Sequence, residues 1–430
     1  MQNQLFFPEI IQIEVTSFCN FNCKMCLRNF QKEEYQNIPI GLFKQIAKSV
    51  FPKLKKVVLY GHGEPLMHPE FEQLVRITRE YLPEEGKIEF TTNASLLVPS
   101  KVDNILKCGI NKIIVSFDTS NIMKLKEIRS GIQEDKVLEN LAYLSKQKQA
   151  GKLPELAIET VIMRSNLHDL PYLIEFCNEF HINSIYVSHL LVYDKSMLSE
   201  ILYLTISKEA WEISQELVNK GWEIFSKTML DPNGEEVSIE LLENAISDVP
   251  EIWERIREYN IEINPPLIFE ASKKMDLVNE TERVFKKAQE IANKYGINLE
   301  LPDIFPKLSE RKCPYVDRKA LLIRANGEIA PCYNFLHNHK LLINNHERDV
   351  KQISFGSLQE DSLDNIVNSE GYQNFRNTLL DISNNIPWSG DCLFSTRNCF
   401  YISNNDSDCY GNHPGCNECL YSVNLVRCIF

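Results

Sequence analysis

Three cysteines near the start of the chain have the spacing of a metal-binding loop. They are Cys19, Cys23 and Cys26, in a C-x3-C-x2-C pattern directly after an apolar, β-branched run. Cysteine thiolates select iron–sulfur clusters and zinc. A structural zinc site usually has four ligands from paired C-x2-C turns, whereas three thiolates on one loop suit a cubane cluster in which one iron has no protein ligand. Such an iron can bind a small molecule, so this loop predicts a cluster that takes part in chemistry.

Eight more cysteines fall in the last third of the chain and indicate further metal centres. The chain has 13 cysteines, an odd number, and its N-terminus lacks the basic segment and cleavage site of a secretory signal. We therefore expect reduced thiols in the cytoplasm rather than disulfides. From Pro387 onward the sequence has little periodicity, and such a segment needs metal centres to hold it together. The predicted metal ligands of this tail are Cys313, Cys332, Cys392, Cys399, Cys409, Cys416, Cys419 and Cys428.

Structural zinc is the alternative for the tail. The histidines that could help such a site are His337, His339, His346 and His413. The two remaining cysteines, Cys108 and Cys177, lie near or on predicted helices, and we expect them to be buried structural residues.

Short β-branched runs alternate with amphipathic stretches over residues 10–190. This rhythm is typical of parallel βαβ units, and six strands suit a partial barrel or a doubly wound sheet. The predicted strands are Ile10–Val15, Lys56–Tyr60, Lys87–Thr91, Lys112–Phe117, Leu156–Ile162 and Ser184–Ser188. The predicted helices lie near residues 40–50, 69–81, 99–108, 134–149, 167–180 and 197–203. In such folds the loops after the carboxyl ends of the strands carry the chemistry, and the first cysteine loop follows the first strand.

A C-x3-C-x2-C loop behind a first strand resembles the motif of the radical S-adenosylmethionine (SAM) superfamily, and the resemblance covers about residues 8–195. It implies an α/β fold with a partial (β/α)6 TIM-like barrel. It also implies that Cys19, Cys23 and Cys26 hold a [4Fe-4S] cluster whose open iron chelates SAM. One electron from the reduced cluster would cleave SAM to methionine and a 5′-deoxyadenosyl radical, which abstracts hydrogen from a substrate.

Polar residues after the other predicted strands fit a SAM-binding edge under this resemblance. Gly61-His62-Gly63-Glu64-Pro65 is similar to the family's GGEP element, with His62 in place of one glycine. The later strand ends carry side chains suited to ribose hydroxyls and to a carboxylate. The predicted SAM-binding residues are Gly63, Glu64, Asn93, Ser116, Asp118, Arg164 and Ser188.

A second resemblance begins at Cys313. With Gly327 and Cys332 it forms C-x13-G-x4-C, and Asn326-Gly327 between two short apolar runs predicts a β-hairpin. The pattern resembles the opening of the SPASM domain and implies two auxiliary [4Fe-4S] clusters, for which eight tail thiols supply four ligands each. The spacing after Cys332 departs from the commonest SPASM pattern, so the division of the eight thiols stays open.

Three regions are expected from these patterns. They are the radical SAM partial barrel at residues 1–205, a helical connecting segment at 206–305 and the SPASM-like domain at 306–430.

Three hypotheses about function remain. The run from Asp408 to Cys428 resembles maturases associated with tungsten-dependent aldehyde oxidoreductases, which implies maturation of a tungsto- or molybdopterin cofactor or of its oxidoreductase. The alternatives are a peptide maturase that forms thioether or carbon crosslinks in a ribosomal peptide, and an iron–sulfur electron-transfer protein without SAM turnover. A low-potential donor such as ferredoxin or flavodoxin is the expected partner. The candidate catalytic residues for hydrogen transfer or acid–base chemistry are Tyr333, His337 and His62.

The composition agrees with a globular enzyme. Hydrophobic residues make up 43% of the chain, enough for a sizeable core. The 46 basic and 59 acidic residues give a net charge of −13, which offers no general attraction to nucleic acid or anionic lipid. Because the sequence has no apolar run of about 18 residues, no membrane span is expected.

Overall fold

A twisted, mostly parallel sheet of nine strands forms the centre of the computed structural model, which describes residues 6–30, 34–229, 249–258, 261–344 and 346–428. The strands are β1 (Ile10–Ile13), β2 (Lys56–Leu59), β3 (Lys87–Thr92), β4 (Lys112–Ser116), β5 (Glu155–Ile162), β6 (Ser184–His189), β7 (Asn298–Glu300), β8 (Ala320–Ile323) and β9 (Ile329–Ala330). Their spatial order is β9-β8-β1-β2-β3-β4-β5-β6-β7. All neighbours are parallel except the antiparallel pair β8–β9. Strands β1 to β6 are the six predicted strands, so the predicted α/β barrel-type fold is confirmed.

Helices connect the six barrel strands. They are α1 (Ile40–Val50), α2 (Phe71–Tyr81), α3 (Pro99–Lys107), α4 (Ile122–Ile128), α5 (Glu134–Gln149) and α6 (Leu170–Glu179). Helix α4 escapes prediction because seven residues are too short to display a helical period. The predicted helix at residues 197–203 is wrong, since the chain forms a 3-10 helix over Lys195–Glu200 and is extended at Ile201.

The alternating side chains of each strand separate the core from the barrel interior. In β1, Ile11 and Ile13 are fully buried in the main hydrophobic core, whereas Gln12 lines a cavity inside the barrel. In β5, Ile158 belongs to the same core while Glu159 and Val161 line that cavity. The polar interior face of the barrel is therefore set by strand periodicity.

Segments outside the six predicted strands extend the sheet at both edges. Strand β8 pairs with β1 in parallel, with Ile10 opposite Ala320, and β7 pairs with β6, with Ser184 opposite Asn298. The predicted hairpin at Asn326-Gly327 is present, and Gly327 has a φ of +86°, which favours glycine. The first hairpin of the predicted third region thus completes the barrel sheet, while the three domain boundaries stay a prediction.

The remaining elements are helical or short. The helices are α7 (Lys208–Met229), α8 (Val249–Glu258), α9 (Pro265–Tyr295), α10 (Pro314–Asp317), α11 (Leu363–Val367), α12 (Glu370–Leu380), α13 (Ile382–Asn385) and α14 (Phe400–Ser403). Strands β10 (His339–Ile343) and β11 (His346–Val350) form a separate antiparallel hairpin. Among the described residues, no helix combines the length and the apolar character needed to cross a membrane.

Buried arginines tie the irregular tail to the rest of the chain. Arg311 donates hydrogen bonds to the carbonyls of Ile386 (2.6 Å) and Cys416 (3.3 Å). Arg348 donates to the carboxylate of Glu418 at 2.8 Å. These hydrogen bonds supply partners to two carbonyl oxygens and to Oε2 of Glu418, which would otherwise lack an arginine donor.

Candidate active site

The first cysteine loop is folded so that its three thiols lie together at the carboxyl end of β1. Asn22–Cys23 pairs antiparallel with Arg129–Ser130, and the amide of Cys26 donates to the carbonyl of Cys23 at 3.0 Å. The thiols of Cys19, Cys23 and Cys26 are half-buried and free of disulfides. Burial raises the pKa of Cys23 to about 11, Arg129 opposes this rise, and the neighbouring Cys26 and Cys19 add to it. Three adjacent thiols with a cation beside them fit an anionic iron–sulfur cluster.

Arg129 is held beside this loop by Asp118. Nε of Arg129 donates to Oδ2 of Asp118 at 2.7 Å and Nη2 donates to Oδ1 at 3.1 Å. The amide of Val161 also donates to Oδ1 of Asp118, at 3.0 Å. Asp118 was predicted from its position at a strand end to contact SAM, but here its carboxylate is engaged by Arg129.

Gly63 and Glu64 pack directly against the cysteine loop. A Cβ on Gly63 would lie 2.3 Å from the carbonyl oxygen of Thr16 and 2.6 Å from that of Phe18. The amide of Glu64 donates to the same Phe18 carbonyl at 2.8 Å. Only glycine allows this approach, so the glycine of the predicted element has a steric cause.

The carboxylate of Glu64 fixes the end of the next strand. It accepts hydrogen bonds from the hydroxyl of Thr92 (2.7 Å) and the amide of Asn93 (2.7 Å). Burial raises the pKa of Glu64 to about 7, and the hydrogen bonds from Asn93 and Thr92 oppose the rise. Nδ2 of Asn93 in turn lies 4.0 Å from the sulfur of Cys19. Glu64 and Asn93 therefore lie beside the cysteine loop, and their predicted contact with SAM stays a prediction.

The other predicted SAM-binding residues are more dispersed. Ser116 is half-buried at the end of β4, and Ser188 lines the interior cavity, where its hydroxyl accepts from the amide of Arg427 at 3.1 Å. The side chain of Arg164 is exposed, and its amide donates to the carbonyl of Glu200 at 3.0 Å. These three residues lie at the predicted end of the sheet, and their roles stay predictions.

An interior cavity of about 150 Å³ joins the cysteine loop to the tail. Met25 of the loop and Cys428 of the tail both line it. Two buried polar atoms in its wall, Oε2 of Glu159 and Nδ1 of His189, make no hydrogen bond within the described residues. Since buried polar atoms are normally paired, these two suit a polar ligand in the cavity.

Sequence reasoning missed several cavity residues, although strand alternation contained a clue. Glu159 stands between Ile158 and Thr160 in a predicted apolar strand, and a lone carboxylate there belongs on the interior face. Burial raises the pKa of Glu159 to about 7, while Arg129 opposes the rise and Asp118 adds to it. Tyr60, another missed residue, has its hydroxyl 3.5 Å from that of Tyr333.

The three candidate catalytic residues, predicted from two distant parts of the chain, lie side by side. The ring centroids of His62 and Tyr333 are 4.6 Å apart, and those of His62 and His337 are 4.7 Å apart. Tyr333 also lines the cavity, so this group borders it. Burial raises the pKa of Tyr333 well above its usual value, and the neighbouring Tyr60 raises it further. Its phenol stays protonated at neutral pH.

The eight tail thiols separate into two groups. The inner group contains Cys313, Cys332, Cys416, Cys419 and Cys428. Burial raises the pKa of Cys332 well above its usual value, and Cys419, Cys313 and Cys428 raise it further. Burial also raises the pKa of Cys416 well above its usual value, and the neighbouring thiols raise it further, namely those of Cys419, Cys332 and Cys313. The five thiols therefore lie near one another, with Cys416 buried and the other four half-buried.

The outer group consists of Cys392, Cys399 and Cys409, which line a second cavity of about 390 Å³ together with Glu262. Burial raises the pKa of Cys392 to about 11, and its hydrogen bond with the Glu262 carboxylate raises it further. The same carboxylate accepts from the amide of Leu393 at 3.2 Å. Both groups offer sulfur ligands without disulfides among the described residues, so both fit iron–sulfur clusters. Cys177 is fully buried, as expected, whereas Cys108 is only half-buried.

Two family descriptions match this chain. Residues 13–177 match the Radical SAM superfamily. Residues 313–399 match SPASM, an iron–sulfur cluster-binding domain. The two matches cover the segment with the first cysteine loop and the segment in which the tail cysteines begin.

Curated relatives fall into a full-length match and partial matches. The tungsten-containing aldehyde ferredoxin oxidoreductase cofactor-modifying protein of Pyrococcus furiosus is 26% identical over 97% of this chain and 96% of its own length. A GTP 3′,8-cyclase of Mycobacterium tuberculosis is 30% identical over 39% of this chain and 47% of its own length. The second likeness is limited to part of each protein.

Among solved structures, SuiB of Streptococcus suis bound to S-adenosylmethionine is similar in fold. It has a TM-score of 0.51 and 16% identity, and the match covers 86% of this chain and 68% of SuiB. At this identity the likeness concerns the fold alone.

Proposed function

We propose, on the premise that this chain belongs to the radical SAM superfamily and carries a SPASM domain, that it modifies a tungsto- or molybdopterin cofactor or the oxidoreductase that holds it. The observation that carries the proposal is the likeness over nearly the full length of both chains to a cofactor-modifying protein. Because this likeness includes the tail, it goes beyond the barrel that many radical SAM enzymes share.

The first loop and the barrel edge would hold the cofactors. The proposed ligands of a [4Fe-4S] cluster are Cys19, Cys23 and Cys26. Gly63 and Asn93 lie beside this loop and are the proposed contacts for SAM. When bound, this pair supplies the one-electron chemistry that removes hydrogen from a substrate. The contribution of the chain is to place the reacting groups and to exclude water.

The interior cavity is the proposed substrate site. It borders both Met25 of the first loop and Cys428 of the tail, so a substrate there would lie between the first cluster and an inner tail cluster. The Tyr333 phenol is positioned to hold a proton or hydrogen atom at its oxygen, which lies 3.5 Å from the Tyr60 oxygen. Glu159, with a pKa raised by burial to about 7, is positioned to accept a proton near neutral pH.

The inner and outer thiol groups are the proposed sites of two auxiliary clusters. Electrons would come from a low-potential donor of the ferredoxin or flavodoxin type, in the cytoplasm. The inner group contains five thiols, one more than a cluster with four cysteine ligands uses. The outer group contains three thiols and the neighbouring Glu262 carboxylate.

The substrate class is tested by mass spectrometry after single-turnover reactions. The reduced, reconstituted protein is mixed with SAM and with one of three partners: a tungsten aldehyde oxidoreductase, its extracted pterin cofactor, or a cysteine-containing peptide. We expect a mass change in the pterin or the oxidoreductase, together with 5′-deoxyadenosine. The matched control is the variant with Cys19, Cys23 and Cys26 replaced by Ala, which should produce neither.

Two results would overturn the proposal. A mass change in the peptide alone would make the protein a peptide maturase. Absence of 5′-deoxyadenosine with every partner and without one would make it an electron-transfer protein.

A further inference from the structure

A buried group of three side chains beside the interior cavity has the composition of a metal site. The group consists of Glu14, His62 and His337, all of them buried. One ligand atom from each residue lies within 4.8 Å of the other two. None of these three side chains is among the proposed cluster ligands or the predicted SAM-binding residues.

Hydrogen bonds join the side chains of Glu14 and His337, whereas the ring of His62 makes none among the described residues. Nε2 of His337 lies 2.9 Å and 3.0 Å from the two carboxylate oxygens of Glu14. The side chain of His62, by contrast, has both ring nitrogens buried and without a hydrogen-bond partner among the described residues. A buried imidazole that makes no hydrogen bond calls for an explanation such as an ion, because buried polar groups are normally satisfied.

The backbone is built to bring these side chains together. Glu14 follows β1, His62 follows β2 and His337 follows the 3-10 turn Tyr333–Phe335, so three separate segments converge. A Cβ on Gly61 would lie 2.4 Å from Cγ of Glu14, so glycine is needed where the carboxylate side chain passes. The His62 amide also donates to Oε1 of Glu14 at 3.1 Å, which fixes the carboxylate close to the imidazole.

We propose that Glu14, His62 and His337 bind one divalent transition-metal ion of the zinc or iron(II) type, separate from the iron–sulfur clusters. Two imidazoles and one carboxylate are the ligand set of zinc and non-haem iron(II) sites, whereas magnesium and calcium take mainly oxygen ligands. Both ring nitrogens of His62 are buried and make no hydrogen bond among the described residues, so either one is available to an ion held by this group.

Three protein ligands leave at least one coordination position for water or for a substrate atom. The ring of His62 contacts Tyr333, which lines the interior cavity. An ion held by this group would therefore lie next to the proposed substrate site. The site would suit an oxygen or nitrogen donor on the substrate.

Zinc is the probe for this site because it is stable in one oxidation state and is distinguishable from cluster iron. The anaerobically reconstituted full chain is loaded with one equivalent of Zn²⁺, desalted, and analysed for zinc per chain and by zinc K-edge X-ray absorption. We expect one zinc per chain with only nitrogen and oxygen ligands, including two imidazoles. Sulfur ligands would place the zinc at the cysteines and overturn the proposal, as would the loss of zinc on desalting.

Two variants and a control assign the residues. His62→Ala and Glu14→Gln should each lower bound zinc from one per chain to near zero, with the iron content unchanged. His168→Gln, an exposed histidine paired with Glu280 at the surface, should keep the zinc. His62→Ala removes a side chain that makes no hydrogen bond among the described residues, so failure to fold is not expected.

Retention of nitrogen-bound zinc by His62→Ala would also overturn the assignment. Because the readout is zinc coordination, it is independent of SAM cleavage and of the identity of the substrate. The metal proposal and the proposed function can therefore fail separately.

Discussion

Arg129 and Asp118 form a bidentate ion pair directly beside the first cysteine loop, with donor–acceptor distances of 2.7 Å and 3.1 Å. Both side chains are buried, and Arg129 lowers the pKa of the adjacent Cys23 thiol against the effect of burial. The pair therefore links the end of β4 to Cys23 of the first cysteine loop. Asp118 also positions the arginine, and its predicted contact with SAM stays a prediction.

Asp118→Asn should destabilise the protein strongly. It leaves a buried guanidinium without its counter-charge, and breaking a buried pair costs about 3–5 kcal/mol. Chemical denaturation of the variant and of the parent chain measures this difference. The matched control is Asp364→Asn, which breaks the exposed Lys53–Asp364 pair and should cost no more than about 1 kcal/mol. Equal effects in the two variants would show that the Asp118 pair contributes no more than a surface pair.

Iron content should fall in separate steps when each thiol group is removed. Three cubane clusters predict about 12 iron per chain, and replacing Cys19, Cys23 and Cys26 with Ala should leave about 8. Replacing Cys392, Cys399 and Cys409 instead should also remove about four. The measurement is iron and sulfide per chain after anaerobic reconstitution.

A control on the same scale is Cys177→Ala, which changes a buried cysteine outside both tail groups and should keep all the iron. About four iron together with bound zinc in the parent chain would contradict the auxiliary clusters and make the tail a zinc module.

The strands could be predicted because each is a short apolar run in which every second side chain faces the same side of the sheet. The cysteine loop could be predicted because its three cysteines are local in sequence. Glu14 could not, since its partner His337 lies 323 residues away and nothing local marks the contact. The same holds for Asp118, whose bond to Arg129 spans 11 residues and crosses from a strand end to a helix end.

Strand β7 at one edge of the sheet escaped prediction because its three residues are too few to show an alternation of their own. At the other edge the β8–β9 hairpin could be predicted from Asn326-Gly327, but its pairing with β1 could not, since that contact is distant in sequence. The division of the tail thiols into five and three likewise arises from packing, because Cys313 and Cys428 meet from opposite ends of the region.

Gly63→Ala should abolish cluster assembly or SAM binding through a steric clash. The new Cβ would lie 2.3 Å from a backbone oxygen of Thr16, which cannot move without displacing the cysteine loop. Iron content and SAM binding by equilibrium dialysis measure the effect. Gly371→Ala is the matched control, because a Cβ there meets no described atom within 4 Å in a helix, and it should stabilise by about 0.5–1 kcal/mol. Normal SAM binding by the Gly63 variant would exclude a role for this close approach.

Glu159→Gln should reduce the pH dependence of stability between about pH 4.5 and pH 7, and Glu64, whose pKa burial also raises to about 7, should maintain part of it. Burial raises the pKa of Glu159 from 4.5 to about 7, so the folded chain keeps a proton that the unfolded chain releases. Glu159 alone therefore lowers the stability of the parent chain by about 1–3 kcal/mol as pH rises through this window, and the variant lacks this contribution. Denaturation midpoints at pH 5, 6, 7 and 8 provide the comparison. Parallel pH profiles for the two proteins would rule out the raised pKa.

Tyr333→Phe should stop modification of the substrate while SAM cleavage continues. The substitution removes only the oxygen that lies 3.5 Å from the Tyr60 hydroxyl and leaves the ring contact with His62 in place. In the proposed role, the hydrogen held at that oxygen is used after hydrogen removal from the substrate. Formation of 5′-deoxyadenosine should therefore continue, and product should fall at least 100-fold, in the range of a lost acid–base group. Liquid chromatography with mass detection measures both quantities in one reaction. The comparison variant is Tyr186→Phe, whose hydroxyl accepts from Lys112 away from the interior cavity and whose loss should leave both products unchanged. If Tyr333→Phe loses SAM cleavage as well, the phenol acts in cofactor binding rather than in hydrogen transfer.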